Sequence, residues 1–270
     1  MRGISRAALG ALAVVAGCGG DDERTFDARS DTPAVAPAVV VPREFGGGAP
    51  SYVTIEVTRP GRVTGTVQIA GTPPADTIVR PGSDLGVCGQ AFVDTTVRRS
   101  GSRLGDVVVW LTDARAGKPV SLTRRFELQH SRCRLVPRVQ AVIAGGTLNL
   151  RSRDRAVHPA RFIRSEGGAT VAVVTEHDGG QVIPLEHVLD HAGRLEVRCD
   201  LHPWTRAWLF VFDHPYYAVT DRGGAFVLDS IPLGRYRLMA WHERFGTLER
   251  GVVVRADSTT SVALSFESRP

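Results

Sequence analysis

The stretch "GRLEVRCDLHPWTRAWLFVF", residues 193–212, decides how the chain is read. Two runs within it, 194–198 and 206–212, read as strands. A short loop between them carries Cys199 and His202, three residues apart. Alternation of apolar and polar residues in the first run places one strand face in a core and the other toward water. A thiol and an imidazole on a loop held at both ends by strands have little freedom to rearrange. They are also soft-to-borderline metal donors.

Upstream, "RFELQHSRCRLVPRVQAVIAGGTLNLRSRDRAVHPARFIRS" (125–165) offers three more strand candidates. These are 125–129, 135–143 up to a Gly-Gly turn, and 147–152. A polar turn and His158 follow. In this order the segment 124–213 resembles a cupredoxin, the Greek-key β-sandwich of blue copper proteins. The resemblance implies one copper ion held by His158, Cys199 and His202. A thiolate with two imidazoles suits copper, and a Cys/His₂ set also suits zinc, which is the less expected occupant.

Two departures qualify the resemblance. Relatives that read "HPWM" carry an axial methionine where this chain has Thr205, so the axial position is expected to be empty or filled by a weak Thr205 oxygen. The residue after the first histidine is usually an asparagine that ties the ligand loops together; here it is Pro159. Leu201, Pro203 and Trp204 are expected to keep the site dry. His130, His177, His187, His191 and His214 fall in turns or at strand ends and read as surface residues, with a supporting role open for His187 and His191. No carboxylate is placed as an evident general base for hydrolysis.

The flanks carry a second resemblance. "GRVTGTVQIAG" (61–71), "GDVVVWLTD" (105–113), "TDRGGAF" (220–226) and "IPLGRYRL" (231–238) resemble the carboxypeptidase regulatory-like domain, a small transthyretin-like sandwich. Its early and late pieces lie on opposite sides of the cupredoxin-like segment. The chain therefore reads as all-β, with two β-sandwiches. A cupredoxin-like domain (124–213) is inserted into a regulatory-like sandwich (51–123 plus 214–270). A plain tandem is the alternative. "WHE" (241–243) is expected to pack against the insert, with ligand binding the alternative.

At the N-terminus, Arg2 and Arg6 precede the apolar run "AALGALAVVA" (7–16), which is too short to span a bilayer as a helix. "VVAGC" resembles the lipobox of bacterial lipoproteins, which implies a signal peptide over 1–18 and lipidation of Cys18. An ordinary secretory signal is the alternative. Residues 19–50, rich in Gly, Pro, Ala and Asp, read as a flexible tether. The expected location is the cell envelope, lipid-anchored and either periplasm-facing or on the outer membrane.

There are four cysteines. With Cys18 lipidated, three remain in an oxidising compartment, and three cannot all pair. Cys199 is the natural odd one beside His202, which leaves Cys88 and Cys133 able to form a disulfide; two unpaired thiols are the alternative. The formal net charge is +5, and Lys118 is the single lysine among 33 basic residues. The arginines alternate with apolar residues along strands and form no blocks, which argues against a nucleic-acid partner. The function expected is electron transfer or copper binding by an exported lipoprotein, with an unspecified redox partner and no enzymatic activity. A metal-free surface module, binding glycan or protein, is the alternative.

Overall fold

The structure, a computed structural model, describes residues 52–121, 124–177 and 179–268. The signal peptide, the tether and Cys18 lie outside the described residues. Among elements longer than two residues, the chain order begins with β1 (Gly61–Ala70), a single helical turn α1 (Leu85–Cys88) and β2 (Val108–Leu111). Eight strands follow: β3 (Arg125–His130), β4 (Val139–Ile143), β5 (Thr147–Ser152), β6 (His158–Arg164), β7 (Thr170–Glu176), β8 (Val182–Leu185), β9 (Gly193–Cys199) and β10 (Arg206–Phe212). The last five are β11 (Tyr217–Val219), β12 (Ala225–Ile231), β13 (Gly234–His242), β14 (Gly246–Val254) and β15 (Thr259–Glu267). Two-residue pairings such as Leu135–Val136 complete the sheets. Among the described residues, no helix is long and apolar enough to cross a membrane.

These strands form two β-sandwiches. In the first, β1 runs parallel to β15 and antiparallel to β12, and it faces a sheet of order β11–β2–β13–β14. Val63, Val67, Val109, Leu111, Phe226, Leu238, Val252 and Leu264 fill the space between the two sheets. In the second, the sheet β4–β10–β9–β6–β7 faces a sheet made of Leu135–Val136, β3, β5 and β8. Its core includes Leu128, Leu148, Leu150, Phe162, Leu195, Val197, Leu209 and Val211.

Period-two alternation explains how the sandwiches meet. Along β2, Val109 and Leu111 enter the first core, while Val108 and Trp110 point the opposite way. On β13, Leu238 and Ala240 divide from Met239 and Trp241 in the same manner. On β10, Leu209 and Val211 enter the second core, and Phe210 and Phe212 leave it. The outward sets pack together with Val139 as a third apolar layer. Four sheets are thus stacked, and in the two inner ones the strands β2 and β10 are buried on both faces. That burial accounts for the nearly continuous apolar runs "VVVWL" and "WLFVF". "WHE" divides by the same alternation: Trp241 enters this layer and packs on Phe210 with ring centroids 4.8 Å apart, while His242 turns to Phe245 and Phe266 of the first sandwich. Glu243 accepts from the Arg138 guanidinium and from Trp208 Nε1, the latter at 2.8 Å.

The polypeptide leaves the first sandwich after β2 and returns in β11. These two strands are antiparallel neighbours, with Trp110 opposite Tyr217. Every strand of the second sandwich therefore lies, in chain order, between two hydrogen-bonded strands of the first.

Candidate metal centre

Cys199 ends β9, and the turn 200–205 leads into β10. The Cys199 N–H donates to the Thr205 carbonyl (3.2 Å), and the Thr205 N–H donates to the His202 carbonyl (2.8 Å), so the turn closes on itself. His158 begins β6, the strand next to β9, where Ala160 is paired with Cys199. This pairing brings His158 to the same end of the sandwich as the turn. The three side chains converge and are buried. Cys199 Sγ lies 3.4 Å from His202 Nδ1 and 3.8 Å from His158 Nδ1, and the two nitrogens are 3.1 Å apart.

Those separations can be compared with what one ion requires. With metal–sulfur and metal–nitrogen bonds of about 2.3 and 2.0 Å, tetrahedral to trigonal angles put S···N at about 3.5–3.7 Å and N···N at about 3.3–3.5 Å. The sulfur distances match to about 0.1 Å, and the nitrogen pair needs to open by a few tenths of an ångström. The three residues fit a small ion that favours thiolate and imidazole.

The outer nitrogens are also held. His158 Nε2 is 3.1 Å from Asp154 Oδ2, and His202 Nε2 is 3.0 Å from Asp84 Oδ2. A carboxylate on the far nitrogen fixes the ring's tautomer and orientation and makes the near nitrogen a better donor. Burial works against ionising the Cys199 thiol, but the imidazoles of His130 and His158, the Leu201 N–H and His202 together hold its pKa down at about 5. Burial likewise works against charging His158, yet Asp154 and the Cys199 sulfur raise its pKa to about 9. Near neutral pH the pair is therefore a thiolate beside an imidazolium, and the thiolate is the form that binds metals.

The wall of the site is built around Cys133. Arg132 and Cys133 both adopt left-handed backbone conformations, with φ of 51° and 54°. Such residues need to be pinned from outside. Their N–H groups donate to the two Asp154 oxygens, at 2.6 and 2.7 Å. The Cys133 carbonyl accepts from Trp204 Nε1 at 3.2 Å and from the Thr205 hydroxyl. The Cys133 sulfur is bonded to Cys88, with the Cα atoms 5.0 Å apart. Thr205 thus commits its hydroxyl proton to the backbone of this wall. The disulfide holds α1 and the preceding Asp84 against His202.

Several expectations change here. Leu201 and Pro203 are exposed, so they do not shield the site. The cover comes from α1, the disulfide and the rings of His130 and Trp204. The tether lost at Pro159 is replaced: the Pro159 carbonyl accepts from the Asp200 N–H at 3.0 Å, and Arg161 grips the Asp200 carboxylate with two bonds of 3.0 and 2.6 Å. His177, His187 and His191 are exposed, and His187 pairs with Asp190. His130 and His214, read as surface residues, are buried. His214 lies between Tyr52 and Phe212, away from the thiolate. His130 lies flat against His158, with ring centroids 4.2 Å apart and planes 3° apart. Alternation could have located it, because Phe126, Leu128 and His130 share one face of β3 and the first two belong to the core.

No protein-family model matches this chain, and no curated protein matches it. Several solved structures are similar over about a third of it. One is a copper-containing nitrite reductase from Thermus scotoductus SA-01, with 18% identity over 36% of this chain and a TM-score of 0.30. The chain spans only 26% of that protein. Another is the reduced Cu(I) form of an amicyanin mutant, with 19% identity, 34% of this chain, 85% of that one and a TM-score of 0.29. A third is a purple cupredoxin from Nitrosopumilus maritimus, with 17% identity, 32% of this chain, 98% of that one and a TM-score of 0.27.

Proposed function

We propose that the chain holds one copper ion through Cys199 Sγ, His158 Nδ1 and His202 Nδ1, and that it carries electrons or stores copper and is not an enzyme. The convergence of these three atoms, with both histidines backed by carboxylates, carries the reading. Copper in such a set supplies one-electron exchange. Cys199 provides the ionised sulfur, and His158 gives up its Nδ1 proton as the ion enters. Asp154 and Asp84 keep the two rings from turning. The stacked sheets hold β6 and β9 in register, so the donors stay close to one geometry in both oxidation states.

The surrounding features fit an exported carrier. In this reading Cys18 is lipidated and residues 19–50 tether the folded part to the envelope membrane. The first sandwich is a carboxypeptidase regulatory-like scaffold in which the copper module is inserted. Zinc competes for the same donors and is the minor occupant.

The test is metal content and the visible spectrum of the purified full-length protein after loading with Cu(II). One equivalent of copper and a sulfur-to-copper charge-transfer band are expected, and Cys199→Ser should abolish the band. If copper fails to bind while Cys199 reacts as an ordinary free thiol, the copper reading fails and a metal-free binding module takes its place.

A further inference from the structure

We infer that His130 is a positioning residue for this centre: its ring is an anchored plate that fixes the plane of His158, so that His158 Nδ1 is aimed before an ion arrives. The inference rests on the copper reading above and extends it to a residue on the opposite sheet.

His130 ends β3, in the sheet facing the one that carries His158 and Cys199. It is fully buried. Its ring lies parallel to that of His158, with centroids 4.2 Å and planes 3° apart. Rings stacked in this way keep their nitrogen lone pairs in separate parallel planes, so the two do not meet at one ion. What His130 offers His158 is a face. That face is itself held: His130 Nδ1 lies 2.5 Å from Glu176 Oε2, and Glu176, at the end of β7, is fully buried as well. Glu176 stands opposite His158 in the strand pairing of β6 and β7. The sheet that carries His158 therefore also carries the anchor of the ring stacked on it.

The plate supplies a restraint that Asp154 does not. The Asp154 carboxylate, 3.1 Å from His158 Nε2, opposes a flip of the ring. It resists rocking only weakly. The outer torsion of a histidine is broad, and Nε2 lies close to the Cβ–Cγ axis about which the ring rocks, while Nδ1 lies farther out. A flat ring packed on the face blocks that motion directly. His202 is held differently, since its ring neighbours His158 and Trp204 meet it at tilts of 52° and 51°. Packing alone does not account for the pair His130–Glu176. An apolar residue at position 130 would continue the inward row of Phe126 and Leu128 with no carboxylate to bury. As it stands, His130 Nε2 and Glu176 Oε1 are both buried with no hydrogen-bond partner among the described residues. A leucine there would have no flat face and several rotamers, whereas an imidazole tied to a carboxylate has one orientation.

The full-length protein is loaded with copper and studied by NMR in the Cu(I) form. Nuclear Overhauser contacts between the ring protons of His130 and His158 are expected, with upfield ring-current shifts on both. Their absence from copper-loaded wild type would overturn the His130 inference and leave the copper reading intact. That measurement needs no variant, so a poorly folding mutant cannot obscure it. Two variants then separate the face from the nitrogen. His130→Gln keeps an amide to bond Glu176 but removes the ring. It should weaken copper binding about tenfold and split or broaden the single Cu(II) EPR species of the wild type. His130→Phe/Glu176→Gln restores a flat ring without a nitrogen, and it should recover the single species and most of the affinity. A His130→Gln protein with lowered Tm but wild-type affinity and spectrum would show a role in stability alone and overturn the inference. A phenylalanine variant as weak and as broadened as His130→Gln would assign the effect to the nitrogen and overturn it too. A wild type that takes up no copper would overturn the copper reading itself, and the inference with it.

Discussion

Removing the Cys88–Cys133 bond should both destabilise the fold and loosen the site. The bond spans a sequence separation of 45 residues. Closing a loop of that size lowers unfolded-chain entropy enough to stabilise the native state by about 4 kcal/mol at 25 °C. For a domain of roughly 200 residues this corresponds to a fall in Tm of about 8–16 °C. The perturbation is the double variant Cys88→Ala/Cys133→Ala, compared with wild type reduced by dithiothreitol. Reduction keeps both sulfurs in place, so the difference between the two isolates the packing lost with the sulfur atoms. Calorimetry gives the stability. Copper transfer to an excess of chelator gives the site's response, and release should accelerate in both altered forms, because the bond holds α1 and Asp84 over His202. A loss below about 1 kcal/mol on reduction would refute the loop-entropy reasoning. Unchanged copper release would show that α1 stays seated without its cross-link.

Other perturbations reach different parts of the molecule. Asp154→Asn should lower copper affinity about 10–100-fold, measured by competition with a calibrated chelator, because Asp154 braces both His158 and the Cys133 wall; unchanged affinity would refute the bracing role. Trp110→Ala should cost about 3–5 kcal/mol in urea denaturation, since Trp110 fills the layer between the sandwiches against Phe210 and Phe212; a cost below about 1 kcal/mol would mean the layer contributes little. Burial depresses the pKa values of His214 and His242 to about 4, below the unfolded value near 6.5. Between those values the unfolded chain binds more protons, so stability should fall as pH drops from about 6.5 to 4, by up to about 1.4 kcal/mol per pH unit for each histidine. The double variant His214→Asn/His242→Asn should flatten this slope, and an equally steep slope would assign it to other groups.

Much of the fold was legible because it follows from local alternation. The runs 61–70, 194–198 and 206–212 announce strands, and "VVVWL" is apolar throughout because both faces of β2 are covered. His158, Cys199 and His202 were legible from a loop motif and an upstream histidine in a familiar order. The supports were harder to read because they come from distant parts of the chain. Asp84 lies 118 residues before His202 and meets it only through the turn at α1. Glu176 reaches His130 across the sandwich. Leu201 and Pro203 misled because apolar character in a tight turn does not fix which way a side chain faces. His130 was hidden by its position beside the polar sequence "HSR", where a strand-end histidine usually faces water.

The neighbouring strands β2 and β11 give the chain an unusual economy of connection. A turn of a few residues from Leu111 to Tyr217 would restore a plain hairpin, so the second sandwich could be cut out with both main sheets of the first left whole, at the loss of the short Val53–Thr54 pairing with Ala116–Gly117. Topology would allow the excision, but the surface would not. The shortened protein would present Val108, Trp110, Met239 and Trp241 to water as one apolar face. Such a face invites self-association. Each sandwich is therefore the lid of the other's second apolar face, and separating them would require a redesign of the layer they share.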